Sequence, residues 1–144
     1  MSRGRGDTVA AQPLVRPTVL VALGGALGVL ARYVLSGWLD ASLGGSANAT
    51  LAVNIVGAFI LGLAVASLGH DHRWFPLVGP GLLGGFTTYS SLAVSALLLS
   101  DSATGNYTPT LLYALGSVVA GLAAAVAGVW AGERTARARE VHRG

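Results

Sequence analysis

Residues 84–91 read GGFTTYSS: two glycines, a phenylalanine, then five successive hydroxyl side chains, Thr87, Thr88, Tyr89, Ser90 and Ser91. Hydroxyls donate and accept hydrogen bonds without carrying charge. A carboxamide does the same, and one stands in an otherwise apolar run at Asn54, within ATLAVNIVGAFILG. Neutral donors of this kind suit a small anion that must shed its water and still move on. Arg32 adds a cation to the first apolar stretch. It can snorkel to an interface, cap a neighbouring helix end, or attract an anion at a vestibule. Gly84 and Gly85 each weaken a helix by about 1 kcal/mol relative to Ala, and threonines beside them compete for backbone groups. An interruption there frees carbonyls, which are hard oxygen donors fit for a small cation. Irregular backbone at membrane depth persists only where protein or a polar cavity satisfies it. The plainer alternative is that Thr and Ser bond back to the carbonyl four residues earlier. For Asn54 the plainer alternative is an interhelical hydrogen bond, since Gly57 and Ala58 share its face and let another helix approach.

The elements that must hold these groups are membrane spans. Of 144 residues, 53% are apolar and only 10% charged, with mean hydropathy +0.64. A span takes about 20 apolar residues as helix, and four stretches qualify: 17–39, 47–68, 74–99 and 109–131. Trp38, Trp74 and Trp130 fall near their ends, where interfacial aromatics gather. The expected fold is an all-α integral membrane protein. A polar tail at 1–16 precedes the four-helix domain at 17–132, and a basic tail follows at 133–144. The pairs Gly24/Gly28, Gly81/Gly85 and Gly128/Gly132 have the spacing of close helix packing.

All nine basic residues are arginine, and eight lie in the tails or the middle loop. By the positive-inside rule those segments are cytoplasmic in a multi-pass protein of the cell membrane. The same placement argues against a nucleic-acid surface. There is no cysteine, so no disulfide or thiolate site. All six acidic residues fall outside the expected spans, which disfavours a proton-coupled transporter. A small multidrug-type exporter would need such a carboxylate. A structural protein packing through its glycine faces would not need Asn54 or the hydroxyl run. No nucleophile–base pair or metal cluster suggests an enzyme. His70 and His72, flanking Asp71, read as a solvated turn, as does His142 in the tail.

Three segments together resemble the CrcB, or Fluc, family of fluoride channels: GGALGVLARY (24–33), TLAVNIVGAFILG (50–62) and GLLGGFTTYSSL (81–92). The resemblance implies passive fluoride export through two narrow pathways between antiparallel, dual-topology subunits. It implies a third helix broken mid-membrane. It places Asn54 on the pathway, with Tyr89 and Leu92 at the family's two aromatic positions and Thr88 and Ser91 among the lining hydroxyls. Ser117 falls on the polar track of the fourth helix. It assigns the backbone carbonyls of Gly84 and Thr87 to a structural sodium ion. Leu92 departs from the family, having no ring edge to offer an anion. The arginine bias implies insertion mostly one way, so a related subunit of opposite orientation is the expected mate, with a homodimer as the alternative.

Overall fold

The computed structural model describes residues 15–100 and 105–141. Its elements are helical: α1 Val15–Leu43, α2 Ser46–Leu68, a π-helical segment Leu77–Leu83, α3 Gly84–Phe86, α4 Tyr89–Leu98 and α5 Thr108–Val141. Four stretches are long and apolar enough to cross a bilayer: Arg16–Leu43, Ser46–Leu68, Leu77–Leu98 and Thr108–Arg137. Their large side chains, among them Leu23, Leu30, Leu98, Leu112 and Leu122, face outward. In water such a surface would aggregate; against lipid tails it is the ordinary exterior. The molecule is a multi-pass, all-helical membrane protein.

Small residues decide which helices pair. α2 packs along α5, and α1 packs along the π segment and α3. A Cβ on Gly62 would strike the Ala125 backbone, and one on Gly128 would strike Phe59 and Leu63. On the other seam, a Cβ on Gly24 would meet Leu77 and Leu82, one on Gly28 would meet Leu82, and one on Gly85 would meet Gly25. The three expected glycine pairs are therefore all packing faces, because only hydrogen fits where two backbones approach this closely.

Three boundaries differ from expectation. α1 runs on to Leu43 and takes in Asp40, because the turn needs only Gly44 and Gly45, whose φ values of 72° and 140° suit glycine. Asn48 Nδ2 donates to the Leu43 carbonyl at 3.0 Å and fastens that turn. α5 continues to Val141, where a tail was expected from residue 133. Good helix formers fill that stretch, and Glu133 and Arg137 pair one turn apart at 3.5 Å. The third difference is the π segment, which surrounds Pro80. Proline lacks the N–H for an ordinary helical bond, and the wider turn lets the Gly84 N–H reach the Gly79 carbonyl five residues back. The expected polar tail at 1–16 lies almost wholly outside the described residues, as do Asp101 and His142.

Candidate functional site: a polar link between α3 and α4

Between α3 and α4 stand two residues with extended backbone. Thr87 has φ −78°, ψ 154°, and Thr88 has φ −144°, ψ 121°. Extended residues inside an apolar span leave peptide groups without helical partners. Side chains supply them. Asn54 of α2 donates through Nδ2 to the Thr88 carbonyl at 2.9 Å. Its Oδ1 accepts the Thr88 N–H at 2.8 Å. One carboxamide thus closes on both peptide groups of Thr88. The approach needs Gly57, one turn along α2: a Cβ there would lie 2.5 Å from Thr87 Cγ2 and 3.0 Å from the Phe86 ring.

The hydroxyls divide their work. Thr87 Oγ1 bonds back to the Leu83 carbonyl at 3.0 Å, the plain helical alternative. Thr88 caps α4, its Oγ1 accepting the Ser91 N–H at 3.2 Å. The same oxygen donates to Ser91 Oγ at 3.1 Å and lies 3.2 Å from Ser90 Oγ. Arg32 reaches from α1 and donates through Nε to the Gly85 carbonyl at 3.3 Å. Three helices therefore meet on α3 and the link that follows it.

Beside the link lies a cavity of about 650 Å³, whose lining runs to Asp40 of α1 and Ser46 at the start of α2. Arg32, Ser90 and Ser91 line it, together with Ser36, Asp40, Ser46, Thr50 and Ser95. Thr50 and Ser95 are themselves buried. Sequence reasoning passed over Asp40 by placing it in a loop. Arg32, Ser36 and Asp40 follow the four-residue spacing of one α1 face, and that stripe was the available signal.

Ser117 is buried on α5 and donates to the Tyr113 carbonyl at 2.6 Å. The Tyr113 phenol donates to the Ala47 carbonyl at 2.8 Å and lies against the hydroxyls of Ser95 and Ser117. Tyr113 was missed because a single tyrosine near a helix start reads as an interfacial ring. The structure thus joins Asn54, Thr88 and Ser91 by hydrogen bonds and puts Arg32 next to them. Ser117 belongs to a second polar group with Tyr113. Tyr89 is 83% exposed on the outer face, and Leu92 is half-buried. Gly84 is exposed and Thr87 half-buried. The His70 ring lies tilted against Phe75 with centroids 4.8 Å apart, and His72 Nδ1 accepts the Trp74 N–H at 3.3 Å. Both act within their turn.

The fold and site define a small polytopic membrane protein with uncharged donors gathered on an extended link beside a cavity of mixed polar and apolar lining. Residues 19–129 match the family model described as CrcB-like protein, Camphor Resistance (CrcB). The chain belongs to the CrcB family. It is 42% identical over 134 residues to the fluoride-specific ion channel FluC of Gloeobacter violaceus, covering 87% of this chain and 99% of that one. It is 46% identical over 116 residues to a protein of the same name from Thermus thermophilus, covering 76% and 88%. The fluoride-specific ion channel FluC 1 of Rhodococcus jostii is 37% identical over 132 residues, covering 92% and 98%.

Proposed function

We propose that this chain is a subunit of a fluoride-specific ion channel that lets cytoplasmic fluoride leave the cell passively. The observation that carries the reading is the Asn54–Thr88–Ser91 cluster, in a chain 42% identical to a protein named for that activity. Held in place through Thr88, the second amide hydrogen of Asn54 and the Ser91 hydroxyl offer donors without charge, so they can replace part of the fluoride hydration shell without trapping the ion. Tyr89 contributes a ring edge and Ser117 a further hydroxyl along the path. Leu92 only fills space at its position. Arg32 puts a positive group beside the link, where it can attract an anion, with Asp40 two turns along α1 opposing it at the far part of the cavity.

A structural sodium ion fits the donor chemistry of the link. Gly84 and Thr87 would hold it through backbone carbonyls, which are hard oxygen donors. Thr87 is extended, so its carbonyl departs from the helical direction, and a Cβ on Gly84 would meet nothing nearer than 3.9 Å. Among the described residues no group of acidic, histidine or cysteine side chains could hold a metal instead. The ion would neutralise the carbonyl dipoles gathered there.

Two carbonyls leave a sodium ion short of ligands, and Tyr89 faces out of the chain. Both features suit a second, antiparallel subunit that completes the path. The lopsided arginines favour a related subunit of opposite orientation over a second copy, with this chain's termini on the cytoplasmic face of the plasma membrane. Labelling of introduced loop cysteines tests the orientation, and equal labelling from both sides would point to a homodimer. The function is tested by fluoride efflux from liposomes containing the purified chain, read with a fluoride electrode while a potassium ionophore shunts the potential. Rapid efflux is expected from the chain alone or with its opposite-orientation mate. Silence in both preparations would overturn the reading.

A further inference from the structure

We propose that Asn54 is a positioning residue. Its carboxamide, closed on both peptide groups of Thr88, holds the α3–α4 link in place, and the hydroxyls that follow take their positions from it. A residue meant only to touch a passing ion would leave its amide free. Here one donor and one acceptor of Asn54 are committed, at 2.9 and 2.8 Å, to backbone 34 residues away. The commitment matters because Thr88 carries a second duty. Its Oγ1 caps α4 through the Ser91 N–H and also touches the hydroxyls of Ser90 and Ser91. Rotation of the Thr88 peptide planes would withdraw that oxygen and leave the first turn of α4 uncapped. Arg32 holds the preceding turn through the Gly85 carbonyl. The link is therefore fixed from α1 on one side and from α2 on the other, and only the α2 contact satisfies an extended residue.

The geometry makes a demand that only some side chains meet: one donor and one acceptor, coplanar, at the end of a short stem. A carboxylic acid meets it when protonated and fails when ionised, because a carboxylate only accepts and would face the Thr88 carbonyl. Asn54→Asp is thus a switchable version of the contact. Carboxyl groups shielded from water titrate at higher pH than exposed ones, so a series from about pH 5 to about pH 9 covers the change. The charged and titratable side chains nearest this region are Arg32, Tyr33 and Asp40 of α1, which line the cavity beside the link, and Tyr89 of α4, with Tyr113 of α5 in the neighbouring polar group. All of them are present in the wild-type chain measured beside the variant at each pH.

The experiment follows the Thr88 amide by hydrogen exchange and the Thr88 carbonyl by its carbon-13 shift in detergent-solubilised full-length chain labelled with carbon-13, nitrogen-15 threonine, without fluoride. Asn54→Ala should speed exchange at Thr88 about tenfold or more. In Asn54→Asp, ionisation leaves the Thr88 N–H its acceptor but takes the donor from the Thr88 carbonyl, so the Thr88 carbonyl carbon shift should match wild type near about pH 5 and move upfield, as for a carbonyl that has lost its hydrogen bond, near about pH 9, each shift compared with wild type at that pH. Because this change occurs within one variant, a fold weakened by the substitution itself does not imitate it. Unchanged Thr88 exchange in Asn54→Ala, or an Asn54→Asp variant with no pH dependence, would overturn the assignment. The readout needs no transport. A chain silent in the efflux assay that still shows the pH step retains the positioning role and loses the channel.

Discussion

The α2–α5 seam and the α3–α4 link solve opposite problems with the same residue. Along the seam, Gly62, Gly128 and Gly132 bring two unbroken helices into backbone contact. Each helix satisfies its own peptide groups, so the seam needs only small size and dispersion contacts. At the link, Gly57 makes room for the Thr87 and Phe86 side chains, and the backbone of Thr87 and Thr88 is extended, so its peptide groups need partners. Asn54 provides them for Thr88, while Arg32 holds the preceding turn through the Gly85 carbonyl. A glycine face alone therefore says that backbones meet. Polar side chains aimed at the meeting point say that one of the backbones has left the helix.

The largest effect should come from the dry seam. Gly62→Leu drives a side chain into the Ala125 backbone, which cannot yield. A loss of about 3 kcal/mol or more is expected, since overpacking already costs about 1–3 kcal/mol where neighbours can move. Thermal unfolding in detergent would report it, and a normal melting temperature would mean that the two backbones can part without cost. Gly57→Ala presses on Thr87 and Phe86 side chains instead of backbone. Its stability loss should stay near about 1–2 kcal/mol, yet fluoride efflux should fall by more than that loss explains. A proportionate fall would erase the distinction between seam and link.

Thr88→Ala removes the cap of α4 and should destabilise by about 1 kcal/mol, with Thr88→Ser restoring most of it. Failure of serine to rescue would mean that the methyl group matters more than the oxygen. Gly116 sits at the far end of the scale. A Cβ there meets nothing within 4 Å, so Gly116→Ala should change stability by no more than about 0.5 kcal/mol. A pronounced loss of dimer in cross-linking would show that a second subunit covers that face of α5.

Much of this molecule is written in composition and spacing. Four apolar stretches of helical length, interrupted by few charges, leave the chain no soluble alternative, because only helices and closed barrels satisfy backbone groups in lipid. The glycine pairs announced their packing faces, since nothing else explains such spacing in an apolar helix. The singular Asn54 and the hydroxyl run announced that a polar contact had to exist, because each is costly in lipid without a partner. The motifs around them were enough to suggest the family. What the sequence could not say is which groups meet. That Asn54 closes on Thr88, and not on another helix's side chain, depends on α2 lying across the link at Gly57. That Asp40 lines the cavity depends on α1 continuing to a turn of only two glycines. That Ser95 and Ser117 gather at Tyr113 depends on α4 and α5 packing together. Periodicity along one helix fixes a face, but partners across helices are set by the closest packing of all of them at once, and only the tertiary structure decides that.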